Sequence, residues 1–201
     1  MENTVFKKYG KKNLSGKPRH LKSRIPKGDN FLKVKKSLRE RNLHTVCEEA
    51  KCPNLGECWD SKTATMMILG DTCTRACKFC HVKTGNPKKI VDTNEPKKAS
   101  EMVSIMGLNY LVVTSVDRDD LDDLGASHFA AVVDQIAIDH PEVKVEVLIP
   151  DFDANETHMH TLAKSRPFVI AQNLETVKRL TKQVRDRRAG YDQTLTALKF
   201  Y

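Results

Sequence analysis

The sequence contains no uninterrupted apolar run of the roughly 20 residues that a membrane-spanning helix needs. Its first residues, Met1 to Thr4, lack the apolar core of a secretory signal peptide. The 201 residues are 39% hydrophobic and 30% charged, which is ordinary for one soluble globular domain. We therefore expect a cytoplasmic protein with no membrane partner.

Acidic side chains are scarce near the amino terminus, and aromatic ones make up only 6% of the whole chain. Residues 1–45 hold 14 Lys and Arg against 3 Asp and Glu, so this part carries +11 and the remainder −3 of the total +8. Residues 1–28 are also interrupted by glycine and proline, which predicts a basic extended arm. Because nucleic-acid bases stack on aromatic side chains, we expect a protein partner or solvent here and no nucleic acid.

Cysteine is absent outside a short central region, where it forms two sets of three: Cys47, Cys52 and Cys58, then Cys73, Cys77 and Cys80. Clustered cysteines without a sign of secretion predict metal binding rather than disulfides. Three thiolates occupy three corners of a cubane iron–sulfur cluster and leave one iron open, whereas a structural zinc takes four ligands. A cross-braced zinc module with His44 or His81 as a further ligand is the alternative.

Apolar periodicity predicts the remaining fold. Phe31, Val34 and Leu38 have the spacing of a short amphipathic helix ending near Asn42. Strand-like runs at residues 64–69, 109–115, 143–150 and 168–171 alternate with helical patterns. Such alternation predicts an α/β fold with a parallel sheet, which right-handed crossovers curl into a full or partial barrel.

Polar residues follow several of these strands, where the active sites of such barrels lie. The residues expected to meet at this mouth are Thr114, Ser115, Asp117, Glu146, Asp151 and Asn173. Each of them also suits a turn or a helix cap, so a purely structural role is the alternative for any one of them.

Two motifs resemble a known family. Residues 70–82, with Phe79 before the last cysteine, resemble the signature of radical S-adenosylmethionine (SAM) enzymes. Residues 43–59 followed by residues 70–80 closely resemble lipoyl synthase, and the first cysteine set corresponds to that family's auxiliary-cluster motif. The resemblance extends from about residue 17 to the end of the chain.

The resemblance implies a fold and a reaction. It implies a partial TIM-type (β/α)6 barrel over residues 61–201, preceded by a cysteine-rich auxiliary-cluster extension over residues 29–60. One [4Fe-4S] cluster, on Cys73, Cys77 and Cys80, binds SAM and generates a radical. A second [4Fe-4S] cluster, on Cys47, Cys52 and Cys58, supplies two sulfur atoms to C6 and C8 of an octanoyl chain on a lysine. The SAM-binding residues carried over are Thr114, Ser115, Asp117, Glu146 and Asn173.

The same resemblance implies the partners. They are an octanoylated carrier domain, either a 2-oxoacid dehydrogenase E2 subunit or the glycine cleavage H protein, and an electron donor such as ferredoxin or flavodoxin. The basic arm of residues 1–28 is expected to help the carrier domain dock.

The chain departs from the family at several points. Leu124 and Ala154 stand where the family has glycine, and Gln172 where histidine is usual. The chain also ends at Tyr201 after about four strand–helix units, without the family's carboxyl-terminal serine ligand, so we expect a truncated barrel. A non-catalytic iron–sulfur protein and half of a split enzyme are therefore alternative interpretations.

Overall fold

The computed structural model describes residues 29–60 and 63–201, so the predicted basic arm lies outside the described residues. The helices are α1 (Asp29–Arg41), α2 (Val46–Glu49), α3 (Leu55–Asp60), α4 (Glu95–Met106), α5 (Ala126–Asp139), α6 (Glu156–Lys164), α7 (Lys178–Val184) and α8 (Tyr191–Phe200). The strands are β1 (His44–Thr45), β2 (Thr65–Ile68), β3 (Thr72–Cys73), β4 (Lys83–Thr84), β5 (Tyr110–Ser115), β6 (Lys144–Leu148) and β7 (Val169–Ala171). No helix in the described part of the chain is long and apolar enough to cross a membrane.

The main sheet has the strand order β1-β2-β5-β6-β7. Strands β2, β5, β6 and β7 are parallel, and β1 runs antiparallel to β2 at the edge. Each parallel strand is followed along the chain by a helix, which confirms the predicted series of strand–helix units. Among the described strands the sheet stays open at β7, consistent with a partial TIM-type barrel.

One face of the sheet is covered by helices and the other faces the concave side. Leu111 and Val113 of β5 and Val145 and Val147 of β6 are all buried, as the alternation of a strand requires for residues against a helical layer. Val112, Glu146 and Leu148 alternate with them and are half-buried. The concave face is therefore the accessible one.

Local sequence signals set the helix ends. Pro96 occupies the second position of α4, where a missing N–H has no helical partner to lose, and Gly107 closes the helix at φ 59°. Asn155 caps α6, because its Oδ1 accepts from the N–H groups of Thr157 at 2.9 Å and His158 at 3.4 Å.

Two of the family departures lie in the left-handed region of backbone conformation. Leu124 has φ 56° and Ala154 has φ 52°. Glycine adopts such angles without cost, whereas a residue with a Cβ is strained there. The backbone at both positions thus suits the glycine that the resemblance implies.

The predicted amino-terminal helix is confirmed as α1, which packs beside α3. The Phe31 ring stacks on Trp59 with 5.2 Å between centroids, and Val34 and Leu38 are buried with it. Strand β1, which the sequence pattern does not predict, follows α1 and pairs His44 with Met67 and Thr45 with Met66.

Candidate active site

The second cysteine set lies on a loop that leaves the carboxyl end of β2. The loop is closed on itself by the short parallel pair β3 and β4 and by a hydrogen bond from the Gly85 N–H to the Cys73 carbonyl at 2.9 Å. Cys73 and Cys77 are half-buried and Cys80 is exposed. The loop therefore presents three thiols from one short stretch, one of them open to solvent.

Backbone N–H groups point at two of these sulfurs. The Arg75 N–H donates to Cys73 Sγ at 3.4 Å, and the Asp186 N–H donates to Cys77 Sγ at 3.2 Å. Burial, and after it the Asp117 carboxylate, raises the pKa of Cys73 to about 11. Burial also raises the pKa of Cys77. A coordinated metal reverses this preference by binding the thiolate outright, and N–H donors to cysteine sulfur are typical of iron–sulfur sites.

Arg75, which lies between the first two cysteines in the sequence, fixes the loop to the residues that follow β5 and β6. Its side chain is 5% exposed and contacts the carboxylates of Asp119 at 2.9 Å, Asp151 at 3.2 Å and Asp117 at 3.4 Å. Burial raises the pKa of Asp117 to about 6, against the opposing effect of Arg75. Asp151 is almost fully buried in this contact, so its role here is structural.

A cavity lies at the carboxyl ends of β5, β6 and β7. It holds about 140 Å³, less than the roughly 300–1,000 Å³ of a pocket that encloses a whole small ligand. Of the described buried polar side-chain atoms, five lack a hydrogen-bond partner, and three of these belong to residues that line this cavity: Ser115 Oγ, Gln172 Oε1 and Arg185 Nε. Unpaired buried polar atoms are costly, so the cavity suits the polar end of a ligand.

The structure brings four of the five predicted cofactor-binding residues to this cavity: Thr114, Ser115, Asp117 and Asn173. The Thr114 hydroxyl donates to the Leu148 carbonyl at 2.8 Å, so it already joins β5 to β6. Glu146 lies in the middle of β6 rather than at its end, and its carboxylate accepts a hydrogen bond from the Tyr110 hydroxyl. The expectation that Glu146 sits at the mouth was therefore wrong about its position. The cofactor-binding roles of all five stay predictions.

Two contributors escaped the sequence analysis. From the sequence, Gln172 stands out only as a departure from the family, and Arg185, Arg187 and Arg188 resemble a family segment for which a basic helix start is a sufficient account. The structure instead places residues 185–188 in the connection between α7 and α8, with Arg185 lining the cavity. The signal that was available is the presence of three arginines within four residues, directly after the last strand–helix unit.

The first cysteine set lies on and between two short helices. Cys47 is in α2, which Thr45 caps by accepting from the Glu48 N–H at 3.3 Å, and Cys58 is in α3. Burial, then Cys47 and Cys52, raises the pKa of Cys58. Because β1 is antiparallel to β2, the chain that carries the first cysteine set continues from β1 at the amino end of β2. The loop that carries the second set begins at the carboxyl end of β2.

No three His, Cys, Asp or Glu side chains within residues 29–60 and 63–201 are grouped so that they hold a single metal ion. A cubane cluster has a different requirement, because each thiolate binds its own iron. In both sets the thiols lie on one short stretch of chain, and their donor chemistry fits such a cluster.

Comparison with known proteins gives two family matches. Residues 67–201 match the radical SAM superfamily, and residues 2–52 match the N-terminal domain of lipoyl synthase of that family. The chain is 56% identical to the lipoyl synthase of Thermus thermophilus over 90% of this chain and 56% of the relative. It is 53% identical to that of Marinobacter nauticus over 93% of this chain and 54% of the relative. The chain thus spans about half the length of the curated relatives it matches.

Proposed function

Because the chain belongs to the lipoyl synthase family of the radical SAM superfamily, we propose that it takes part in lipoyl synthesis. The reaction is the insertion of two sulfur atoms at C6 and C8 of a protein-bound octanoyl-lysine chain. The observation that carries the proposal is the cavity with three unpaired buried polar atoms, next to a loop that presents three thiols.

Cys73, Cys77 and Cys80 hold a [4Fe-4S] cluster in this proposal. When bound, the cluster and SAM supply a one-electron cleavage whose radical product removes hydrogen from unactivated carbon, which no side-chain acid or base does. The Arg75 and Asp186 N–H groups stabilise charge on the sulfurs, and Arg75 keeps the loop in place through three carboxylates.

The cavity residues receive the polar end of SAM. Ser115 Oγ and Arg185 Nε are available as donors and Gln172 Oε1 as an acceptor, since the protein itself gives them no partner. Thr114, Asp117 and Asn173 complete the wall. Glu146 shares the concave face with Leu148, which lines the cavity, but its carboxylate accepts from the Tyr110 hydroxyl at the start of β5, so a contact with SAM requires this hydrogen bond to open.

Cys47, Cys52 and Cys58 hold a second [4Fe-4S] cluster that supplies the sulfur. The chemical partners are an octanoylated carrier domain and a one-electron donor of the ferredoxin or flavodoxin type.

The first measurement is iron, acid-labile sulfide and zinc per chain after anaerobic reconstitution. We expect iron and sulfide for two cubane clusters, and iron for one cluster in a chain with Cys47, Cys52 and Cys58 replaced by alanine. Zinc without iron contradicts the proposal. Turnover of an octanoylated carrier domain then separates an active enzyme from a non-catalytic iron–sulfur protein.

The cavity is tested by SAM binding to the reconstituted chain. A typical hydrogen bond contributes about 0.5–1.5 kcal/mol, so Ser115→Ala should weaken SAM binding by roughly 2- to 13-fold. Ser104→Ala is the matched control, since Ser104 is exposed and lies near the end of α4. Equal affinities of the Ser115→Ala and control proteins contradict the assignment of the cavity.

A further inference from the structure

Residues 185–188 cross directly over the loop that carries Cys73, Cys77 and Cys80. The Lys78 N–H donates to the Val184 carbonyl at 2.8 Å, immediately before this segment. The Asp186 N–H donates to Cys77 Sγ at 3.2 Å, and the Ala76 N–H donates back to Asp186 Oδ2 at 2.9 Å. The two stretches, more than 100 residues apart in the sequence, are thus joined by reciprocal hydrogen bonds at the middle cysteine.

Arg188 fixes Asp186 in this position. Its Nε donates to Asp186 Oδ1 at 2.9 Å and its Nη2 to Oδ2 at 3.2 Å, the two-pronged geometry that arginine forms with carboxylates. The Asp186 side chain is 9% exposed, and these bonds hold its pKa well below the usual range. Arg188 also donates to the Thr74 carbonyl and lies 3.3 Å from Asp119, so it reaches the cluster loop itself.

These contacts affect the charge that the Cys77 sulfur can carry. A donor on a cysteine sulfur stabilises negative charge on that sulfur, and this charge grows when the cluster accepts an electron. Hydrogen bonds to sulfur therefore raise the reduction potential of a cluster. The only protein N–H that reaches Cys77 Sγ in the described hydrogen bonds is that of Asp186, and its position depends on the Asp186 side chain and Arg188.

We propose that Asp186 and Arg188 are positioning residues that hold the Asp186 N–H on Cys77 and thereby raise the reduction potential of the cluster on Cys73, Cys77 and Cys80. The inference rests on the proposed function, which places the cluster there. One electron enters the cluster from the donor, and the N–H stabilises the additional charge on Cys77 Sγ.

The test compares variants of equal charge. Asp186→Asn and Asp186→Ala both remove the carboxylate, but only asparagine keeps an oxygen that accepts from the Ala76 N–H. Arg188→Lys keeps the positive charge and loses the two-pronged contact with Asp186. Arg187→Ala is the control, because Arg187 is exposed on the same segment.

The readout is the midpoint potential of the reconstituted full chain in a dithionite titration, followed by the electron paramagnetic resonance signal that changes when SAM is added. We expect the oxidised-to-reduced ratio at a fixed potential to be about tenfold higher for Asp186→Ala than for Asp186→Asn, which is ~59 mV for one electron. The midpoint potential of Arg188→Lys should lie below that of the unmodified chain. The midpoint potential of Arg187→Ala should equal that of the unmodified chain.

The inference is overturned if Asp186→Ala and Asp186→Asn have equal midpoint potentials and Arg188→Lys has the same midpoint potential as the unmodified chain. If Asp186→Ala assembles no cluster, the Arg188→Lys comparison decides alone: a lowered midpoint supports the inference and an unchanged one overturns it. If the unmodified chain assembles no cluster that responds to SAM, both the proposed function and the inference are wrong. If the cluster assembles and responds to SAM but the variants leave its midpoint potential unchanged, only the inference is wrong.

Discussion

Arg118 is a fully buried charge, and its removal should destabilise the fold strongly. The residue is 1% exposed, and its side chain donates to both oxygens of Asp120, at 2.8 and 2.9 Å. It also donates to the Leu69 carbonyl at 3.1 Å and the Ile90 carbonyl at 3.0 Å. One guanidinium therefore joins the end of β2, the loop before α4 and the loop after β5.

Arg118→Met keeps most of the side-chain volume and leaves these acceptors without their donor. Breaking a buried ion pair costs about 3–5 kcal/mol. Asp120 retains the Lys89 N–H at 2.8 Å, so we expect about 3 kcal/mol, the lower end of that range. The assay is urea unfolding of the metal-free chain at pH 7, because a bound cluster would add its own stabilisation.

The dependence on pH supplies a second arm. The hydrogen bond from Arg118 is the largest effect that lowers the pKa of Asp120 from its usual 3.8. A lowered carboxyl pKa stabilises the fold above the unfolded value, and this stabilisation disappears as the pH falls through the folded value. The difference between the unmodified chain and Arg118→Met should therefore shrink between pH 5 and pH 3.

Two results refute this reasoning. A loss below about 1 kcal/mol at pH 7 would equal that of an exposed ion pair. A difference that stays constant from pH 5 to pH 3 would mean that the methionine acts through packing alone.

Two further predictions concern local backbone stabilisation. Asp123 accepts from the N–H groups of Gly125 at 2.9 Å and Ser127 at 2.8 Å at the start of α5, and also from the Ser127 hydroxyl. Burial opposes a lower pKa for Asp123, but the bond from the Ser127 hydroxyl, followed by the two backbone bonds, lowers it. Asp123→Ala should cost about 1 kcal/mol at pH 7, as for a lost helix cap, and this cost should fall as the pH drops below about 4; an equal cost at pH 3 would contradict it. Ala154→Gly should raise the free energy of unfolding by about 0.5–1 kcal/mol, because relief of left-handed strain of roughly 1–2 kcal/mol exceeds the added entropy of the unfolded glycine. Thermal unfolding beside a matched Ala99→Gly control, which should destabilise α4, checks this; a loss of stability in Ala154→Gly would refute it.

The sheet was predictable because its strands carry a local pattern. Leu111 and Val113, then Val145 and Val147, recur at the period of a strand whose one face is buried. Helix α5 follows from the same kind of periodicity, because Phe129, Val132, Val133 and Ile136 recur at helical spacing and are all buried. Elements whose burial repeats along the sequence are thus visible without a structure.

The site was only partly predictable because its contacts are distant in the sequence. The spacing of the cysteines identifies them as candidate ligands, and the position of Ser115 at the end of a strand identifies it as a candidate site residue. Asp186 touches Cys77 across more than 100 residues, and no local pattern records such a contact. Glu146 was misplaced because it was grouped with residues that follow a strand, although it lies inside the apolar run 143–150 and in the middle of β6.

The two-residue ladder between β1 and β2 also sets the spacing between the two cysteine sets. Thr45 is buried, whereas His44 beside it is half-exposed, so a slip of one residue would exchange an inward for an outward side chain. The smallest slip that preserves the faces is two residues, or about 6.6 Å at 3.3 Å per residue. The distance between the two sets is therefore quantised: evolution can lengthen their loops gradually, but it can change their separation along the ladder only in steps.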